Sequence, residues 1–386
     1  MGITQLLFNL QSALLSRTDD VFMHSVEGQR AYLEKFPEPK DDMERGYYQY
    51  CCQAKLRGRL LNALISLAGF PVTLLLMFKY RKGAAPEKAE PCENRAVLFR
   101  DGKPANIVPT VLRDEFSQMV EDPIEGSYLR KEDLSYLWEL IRRYPFSWQF
   151  VLKCTVKIAR YRYAMEKYAP KALIVCNEYS FTSSVLTEFC ARNQVELVNV
   201  MHGEKMYFMR DTFFHFHRCF VWDAFYADLF KRLRAEPNQF IVALPPSMVF
   251  TENNVEKSVD YTYYMGAEDG EALKRVVACL KQLAAKGNCV AIRPHPRYSN
   301  MEHVREQTDG TMILIEDTKA ITIEHSLLRS RHAIAAFSTV LNQARYNGTR
   351  VVIDDVSNPE AFKKLNEVEY VMLNTEHTLL SAEVNQ

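Results

Sequence analysis

The sequence predicts an α/β protein made of two units, each built on a parallel sheet, with a helical segment before them. Three observations lead to this prediction. The chain has 386 residues, which at roughly 150 residues per domain indicates two domains. After residue 95, short continuous apolar runs alternate with amphipathic helices, a pattern typical of parallel strands covered on both faces. The series occurs twice, on either side of a polar stretch at 251–258.

Composition limits the classes of function. The chain is 47% hydrophobic and 25% charged, as in ordinary globular proteins, which excludes disorder, collagen and coiled coil for the whole. Its 48 basic and 48 acidic residues cancel, so it lacks the basic field of a non-specific nucleic-acid binder, and no nucleic-acid partner is predicted. The nine cysteines are scattered, without a CxxC pair. Reduced thiols and a cytoplasmic location are therefore expected.

The predicted helical segment covers residues 1–85. Its first 20 residues lack the basic start and cleavage site of a signal peptide and predict a short amphipathic helix. Residues 60–78 are apolar, have basic flanks, and are about as long as a bilayer-spanning helix. Because Gly69-Phe70-Pro71 is expected to kink or end a helix, a continuous span is disfavoured. Two short packed helices, or a monotopic hairpin in the cytoplasmic leaflet, remain as alternatives. A linker is predicted at 82–94.

The first α/β unit is predicted at 95–250 and the second at 255–380. In the first, the expected strands are 95–99, 105–109, 172–176, 195–200, 219–222 and 240–243, and the expected helices are 132–168 with a break at Pro145, 181–192 and 224–233. In the second, the expected strands are 261–265, 289–293, 312–316, 332–337 and 350–353, and the expected helices are 270–286, 301–308, 321–329 and 339–346. We expect two Rossmann-like domains whose strand carboxyl ends face a shared cleft.

The sharpest polar motif of the second unit follows its second predicted strand. Arg293, His295 and Arg297 alternate with prolines, Pro296 among them. The prolines hold the loop extended, and an imidazole with two guanidiniums forms an anion site. A phosphate is the expected partner, and a rigid surface turn is the alternative.

A second anion-binding element is expected where a helix starts after the strand at 332–337. Ser338 and Thr339 occupy its N-cap and first turn, where free backbone N–H groups attract anions. Plain helix capping explains this pair taken alone. Together with the loop at 293–297, we expect one phosphate to occupy both elements.

Acidic residues at other strand ends are candidates for catalysis and sugar binding. The turn from Gly266 to Gly270 contains Glu268 and Asp269, and its glycines permit close approach of a ligand. One carboxylate becomes a general base if its pKa is raised, whereas capping of the next helix by Asp269 is the alternative. Glu316 ends a strand and is a candidate for binding ribose hydroxyls.

The first unit offers a second set of candidates. Glu178 and His202 follow adjacent predicted strands, and either could act as acid or base on an acceptor hydroxyl; hydrogen-bonded loop residues are the alternative. His215 and His217 have a spacing that permits metal binding, but no third ligand is evident nearby. No metal site and no cofactor are predicted.

These motifs resemble those of the bacterial GT-B sialyltransferases and of related capsule and lipooligosaccharide enzymes that use CMP-activated sugars. The similarity covers roughly residues 95–375 in architecture and rests on His295-Pro296, Ser338-Thr339 and Glu268-Asp269-Gly270. It implies that the acidic motif supplies the base, that His295 supports the departing phosphate, and that the Ser-Thr pair helps to bind the nucleotide. CDP-glycerol-type polymerases look similar too, with a His-Gly loop like His202-Gly203.

The combined expectation is an inverting, metal-independent glycosyltransferase. It would move a sialic or Kdo-like sugar from a CMP-activated donor to a cell-surface glycan or lipid-linked acceptor, on the inner face of the membrane. This chemistry needs a base for the acceptor hydroxyl and polar groups for the leaving phosphate. Asp269 ranks ahead of Glu178 and His202 as the base. The alternatives are a CDP-polyol phosphotransferase of surface polymer synthesis and a non-catalytic sugar-nucleotide-binding scaffold.

Overall fold

The computed structural model describes residues 21–57, 59–99, 105–122, 126–251 and 255–385. The helix predicted in the first 20 residues lies outside this range. The chain forms two compact units. Unit 1 holds the described residues up to His202 together with Tyr207–Leu244, and unit 2 holds Gly203–Met206 and the described residues from Pro245 onward.

Unit 1 is built on a parallel sheet with six strands in its described part. The strands are β1 (Arg95–Leu98), β2 (Gln118–Glu121), β3 (Ala172–Val175), β4 (Glu196–Val200), β5 (Arg218–Val221) and β6 (Phe240–Val242). Their order is β2-β1-β3-β4-β5-β6, with every neighbouring pair parallel. Since β1 and β3 are neighbours and β2 lies outside β1, the chain reverses its direction of travel across the sheet between β1 and β3.

Helices cover this sheet and also form the segment before it. They are α1 (Val26–Leu33), α2 (Asp42–Arg57), α3 (Arg59–Lys82), α4 (Thr110–Arg113), α5 (Lys131–Arg143), α6 (Trp148–Tyr168), α7 (Ser183–Arg192) and α8 (Ala224–Arg232). The strand β3 is fully buried along its length, as its uninterrupted apolar sequence predicts.

Unit 2 repeats the architecture with a different strand order. Its strands are β7 (Val259–Tyr264), β8 (Val290–Arg293), β9 (Leu314–Ile315), β10 (Ser330–Ala335), β11 (Arg350–Ile353) and β12 (Thr378–Leu379). Its helices are α9 (Gly270–Ala285), α10 (Met301–Thr308), α11 (Ile323–Arg329), α12 (Thr339–Tyr346), α13 (Pro359–Lys364) and α14 (Leu380–Asn385). The sheet order is β12-β11-β10-β7-β8-β9, all parallel in the described residues.

The strand orders confirm the predicted fold class. Counted from its own first strand, unit 2 has the order 3-2-1-4-5-6 of Rossmann folds, and unit 1 extends the flavodoxin-like order 2-1-3-4-5 by one strand. The chain thus has the α/β, GT-B-like class with two Rossmann-like units and a helical N-terminal segment. In such sheets ligands bind at the carboxyl ends of the strands where the order reverses, which is between β7 and β10 in unit 2.

The helix does not end at Gly69-Phe70-Pro71, so the prediction of two short helices, or of a hairpin, at 60–78 is wrong. The backbone is one continuous helix, α3, with Pro71 in its interior. Gly69 permits this helix to lie against α6, because a Cβ at that position would be 3.2 Å from the backbone of Trp148. The Thr73 hydroxyl donates to the Gly69 carbonyl at 2.7 Å. Close packing along α6 therefore outweighs the cost of an internal proline.

The predicted strand at 105–109 is also wrong. Residues Ala105–Ile107 form a 3-10 helix, and Pro109 precedes α4. The strand beside β1 is β2, which sequence inspection missed. Its residues are partly or fully exposed, because an edge strand needs no continuous apolar run.

Candidate functional site

In unit 1, the carboxyl ends of β3 and β4 bring Glu178 and His202 together. The Glu178 side chain is fully buried, and its Oε1 lies 3.7 Å from Nδ1 of His202, whose side chain is 18% exposed. Asn199, within β4, donates to Oε2 of Glu178 at 3.2 Å and accepts the Asn177 backbone N–H at 2.7 Å. The two predicted residues thus form a carboxylate–imidazole pair with one buried member and one accessible member.

Two glutamines of α2 hold the loop that carries Glu178. Gln49 donates to the backbone carbonyls of Glu178 and Arg210 at 3.0 and 3.2 Å. Gln53 donates to those of Tyr179 and Arg210 at 2.8 and 3.0 Å. Gly46 lets α2 come close, because a Cβ there would lie 2.9 Å from the carbonyl of Phe181. The N-terminal helices therefore fix the loop after β3.

In unit 2, the acidic turn after β7 divides its carboxylates between two environments. Asp269 caps α9, accepts from the Gly270 N–H at 2.8 Å, and is paired with Nδ1 of His303 at 2.6 Å. The hydrogen bond from His303 holds the pKa of Asp269 below its usual value. Gly270 has φ +51°, a conformation that glycine adopts at no steric cost. The structure thus favours the capping role for Asp269, which the sequence analysis kept as the alternative.

Glu268 is the carboxylate of this turn that faces inward. Its Oε2 accepts the Gly266 backbone N–H at 2.6 Å. Burial raises its pKa, and the charge of Asp354 adds to the effect. Tyr263, fully buried, donates to Asp354 at 2.7 Å beneath the turn. A raised pKa is what the sequence analysis required of a base here, and the residue that has it is Glu268 instead of Asp269.

The His-Pro loop after β8 presents its imidazole at the surface. Nδ1 of His295 accepts the backbone N–H of Arg297 at 3.1 Å, and its ring stacks on Tyr298 with centroids 4.4 Å apart. Pro296 and Arg297 are exposed. The pKa of His295 is lowered by burial and by the positive charge of Arg297. The neutral ring therefore carries its proton on Nε2, which is able to donate to an anion.

Arg293 and Glu316 bind each other. Nη1 of Arg293 donates to Oε2 of Glu316 at 2.8 Å, and Nη2 donates to the Ile321 carbonyl at 2.9 Å. Glu316, also fully buried in its side chain, accepts from Ser326 and Arg329, each at 2.7 Å. This arrangement favours a structural role for both residues, and their predicted contacts with phosphate and ribose stay predictions.

The start of α12 has the predicted cap and an additional residue. The Ser338 hydroxyl accepts the Val340 backbone N–H at 3.3 Å. Glu204, which belongs to unit 2, donates its backbone N–H to the Thr339 hydroxyl at 3.2 Å, and its carboxylate accepts from the buried Asn342. A carboxylate thus lies beside the helix end for which a phosphate was predicted.

The two predicted anion elements of unit 2 are not on neighbouring strands. The order β10-β7-β8 places β7 between the strand before Ser338 and the strand before His295. At about 4.8 Å per strand, their starting points are roughly 10 Å apart. This separation argues against sharing of one phosphate ion, whereas a nucleotide is long enough to contact both elements with the turn from Gly266 to Gly270 between them.

The remaining candidates have structural partners. His215 is 2.7 Å from Asp42 through Nδ1, and Nδ1 of His217 accepts the backbone N–H of Leu197 at 2.8 Å. Burial lowers the pKa of His217. No group of three metal-ligating side chains occurs among the described residues. All nine cysteines are free thiols.

Two residues of the site were missed from the sequence. Asn199 is a polar residue between the apolar Val198 and Val200 of β4, and that position was the available signal. For Glu204 no pattern was available, because its contacts join residues more than 130 positions apart.

No family model and no curated protein matches the sequence. Among solved structures, the chain is similar to UDP-GlcNAc 2-epimerase from Neisseria meningitidis bound to UDP-GlcNAc, with 12% identity, a TM-score of 0.45, and coverage of 76% of this chain and 90% of that chain. It is also similar to the calicheamicin glycosyltransferase, with 10% identity, a TM-score of 0.45, and coverage of 75% and 86%. Anabaena HepE in complex with UDP-glucose has 11% identity, a TM-score of 0.40, and coverage of 75% and 88%. At these values the similarities carry no inference about reaction or substrate.

Proposed function

We propose that the chain is an inverting, metal-independent glycosyltransferase that uses a nucleotide-activated sugar. In this proposal unit 2 binds the nucleotide and unit 1 supplies the general base. The observation that carries it is the strand order of unit 2, because its reversal between β7 and β10 brings the glycine turn and the start of α12 to the position where Rossmann-like sheets bind nucleotides.

The groups near this reversal suit a phosphate ester. The turn from Gly266 to Gly270 permits close approach of a ligand backbone, and the first turn of α12 offers N–H groups. On the next strand, the Nε2–H of His295 and the exposed Arg297 offer a donor and a positive charge. These groups stabilise charge that develops on a leaving phosphate, and they do so without a metal ion.

His202, supported by Glu178, is proposed as the base. Its ring takes the proton of the acceptor hydroxyl while that oxygen bonds to the anomeric carbon and the bond from this carbon to the phosphate oxygen breaks. The buried carboxylate 3.7 Å from Nδ1 stabilises the imidazolium that forms, as in other carboxylate–imidazole pairs. One displacement of this kind inverts the configuration at the anomeric carbon.

The finer proposal concerns the donor and acceptor. The resemblance of His295-Pro296, Ser338-Thr339 and Glu268-Asp269-Gly270 to the CMP-sugar enzymes supports a CMP-activated sialic or Kdo-like sugar, and a glycan or lipid-linked acceptor. UDP-sugars form the competing donor class. A CDP-polyol phosphotransferase would use the same pair of residues in unit 1, and a scaffold would bind nucleotide without turnover.

A thermal-shift panel of CMP, CDP and UDP tests the nucleotide. A ligand at 100 times its Kd stabilises the folded state by about 2.7 kcal/mol. We expect CMP to give the largest shift and His295→Ala to reduce it. His377→Ala is the matched control, because His377 directly precedes β12 and so lies at the opposite, amino-terminal edge of the sheet. A larger shift with UDP contradicts the finer proposal, and no shift with any nucleotide contradicts nucleotide binding itself.

A further inference from the structure

The helix α3 has three small or polar residues and one methionine on its buried side, and six large apolar residues are exposed. Ser66, Gly69, Thr73 and Met77 form the buried side. The outer side, called the apolar outer face below, is formed by the following side chains with their exposed fractions: Leu64 58%, Leu67 75%, Phe70 45%, Val72 43%, Leu75 68% and Phe78 61%. A solvated surface helix has the opposite distribution, so this face is built to contact something apolar.

The inward side shows how the helix is seated. Besides the contact of Gly69 with the Trp148 backbone, Ser66 accepts the backbone N–H of Gln149 at 3.5 Å. Trp148 and Gln149 belong to α6. This helix is part of unit 1 and packs on β1, α5 and α7. One side of α3 is therefore covered by protein along its length. By length and composition Leu64–Lys82 is a candidate membrane span, but lipid cannot surround a helix that is seated in this way.

Charge identifies the kind of surface that covers the outer face. The helix α3 contains no aspartate or glutamate, and its last turn carries Lys79, Arg81 and Lys82. All three are exposed, and the Lys82 ammonium lies 4.2 Å from the centre of the Phe78 ring. A second copy of this helix would bring no counter-charge to these cations, whereas an anionic bilayer brings both an apolar interior and negative headgroups.

Aromatic residues extend the face beyond α3. Phe146, just before α6, is 89% exposed. The Phe70 ring contacts the ring of Trp148 edge-on, with centroids 4.6 Å apart. Tryptophan is enriched at the boundary between headgroups and acyl chains, and phenylalanine is common on the membrane-facing side of helices that lie in this boundary.

We propose that the apolar outer face of α3 docks unit 1 on an anionic bilayer, with the helix lying in the plane of the membrane. The apolar side chains enter the outer part of the acyl layer, and the three cations of the last turn contact headgroup phosphates. This inference does not rest on the proposed function, because membrane binding is measured without a sugar donor or an acceptor.

Vesicle flotation with the full chain tests the proposal. We expect the protein to float with phosphatidylcholine vesicles that contain phosphatidylglycerol, and to float less with phosphatidylcholine alone or in high salt. Neutralising Lys79, Arg81 and Lys82 with glutamine should lower the partition coefficient about a hundredfold, since each basic residue near an anionic surface contributes roughly fivefold.

A pair of exposed substitutions isolates the apolar contribution. Leu67→Glu with Leu75→Glu should abolish flotation and leave the thermal unfolding midpoint unchanged, because both side chains are more than two-thirds exposed. The matched control is Met312→Glu with Val111→Glu, at positions outside α3 that are 72% and 59% exposed, which should float like the unchanged protein.

Three results overturn the proposal. The first is flotation of the Leu67→Glu and Leu75→Glu variant at the level of the control. The second is a dimer, measured by analytical ultracentrifugation without vesicles, that this variant converts to a monomer, since a second copy would then cover the face. The third is retention in membranes at alkaline pH after expression in cells, since that result indicates a span.

Discussion

Glu316 and Glu178 are two of the buried carboxylates that follow strand ends among the described residues, and their partners differ. Glu316 in unit 2 is paired with the guanidiniums of Arg293 and Arg329, which keep their protons at any physiological pH. Glu178 in unit 1 faces the imidazole of His202 at 3.7 Å, and an imidazole gains and loses a proton near neutrality. The first carboxylate therefore holds a loop in place, whereas the second is placed to support proton transfer.

The comparison shows what separates a structural charge from a reactive one at equal burial. Both glutamate side chains are 0% exposed, so burial alone does not distinguish them. The two glutamates differ in whether their partner group gains and loses a proton near neutral pH. This criterion does not separate Asp269 from Glu268, because the partner of Asp269 is also a histidine. Burial separates them instead, since Asp269 is exposed and Glu268 is half-buried.

The largest expected effect is on transfer by unit 1. His202→Ala and Glu178→Gln should each lower the transfer rate about 100-fold or more, the usual contribution of general-base catalysis, while nucleotide affinity stays unchanged. The proton is moved only in the transition state, so ground-state binding is unaffected. Rates from single-turnover assays and Kd values from calorimetry check this. Rates within threefold for both variants would remove the pair from the mechanism.

A large effect on stability is expected in unit 2. Arg293→Ala should lower the free energy of unfolding by about 3–5 kcal/mol, because it leaves a buried carboxylate short of a partner. Arg297→Ala, at an exposed position of the same loop, should change it by less than about 0.5 kcal/mol. Urea unfolding measures both. Equal stability of the two variants would mean that the ion pair with Glu316 is not structural, and would restore Arg293 as a phosphate ligand.

The sequence predicted the fold well because buried parallel strands have a direct signal. Runs such as Ala172–Val175 are continuous and apolar, and their helices alternate regularly. The edge strand β2 has no such signal, and the packing that keeps Pro71 inside a helix depends on α6, about 80 residues further along the chain. Rules that use only residues close together in the sequence could predict neither β2 nor the continuous helix through Pro71.

The site was predicted less completely, for a related reason. Residue type and position after a strand identified Glu178, His202 and His295 as candidates. Whether a side chain points inward or outward is decided by neighbours distant in sequence, such as Asn199 for Glu178. For this reason Asp269 ranked first as the general base, on the match of Glu268-Asp269-Gly270 to the acidic motif. Its neighbour Glu268 is the more buried of the two.

A smaller effect is expected at the His-Pro loop. His295→Ala should lower turnover about tenfold, a modest share of what stabilisation of a leaving group contributes. The pKa of His295 is lowered from 6.5, so the ring is neutral at pH 7 and becomes protonated only as the pH falls through that lowered value. Nucleotide affinity should therefore rise on acidification below pH 6.5, and His295→Gln should lose this rise. An identical pH dependence in the variant would assign it to another group.

The smallest effect is expected at Asp269. Asp269→Asn should keep transfer within about threefold of the unchanged protein, because asparagine caps a helix as well as aspartate does. The hydrogen bond from His303 lowers the pKa of Asp269, and Asp269 raises the pKa of His303. The stabilising ion pair is therefore lost as the pH falls through the lowered pKa of Asp269, and also as it rises through the raised pKa of His303.

An NMR titration of His303 measures this pair directly, and in Asp269→Asn its pKa should fall toward 6.5. Glu268→Gln is the matched variant within the same turn, and it should leave the pKa of His303 unchanged. A 100-fold loss of transfer in Asp269→Asn, with His202→Ala near normal, would restore the sequence-based ranking. It would also show that an exposed carboxylate paired with a histidine acts as the base despite its lowered pKa.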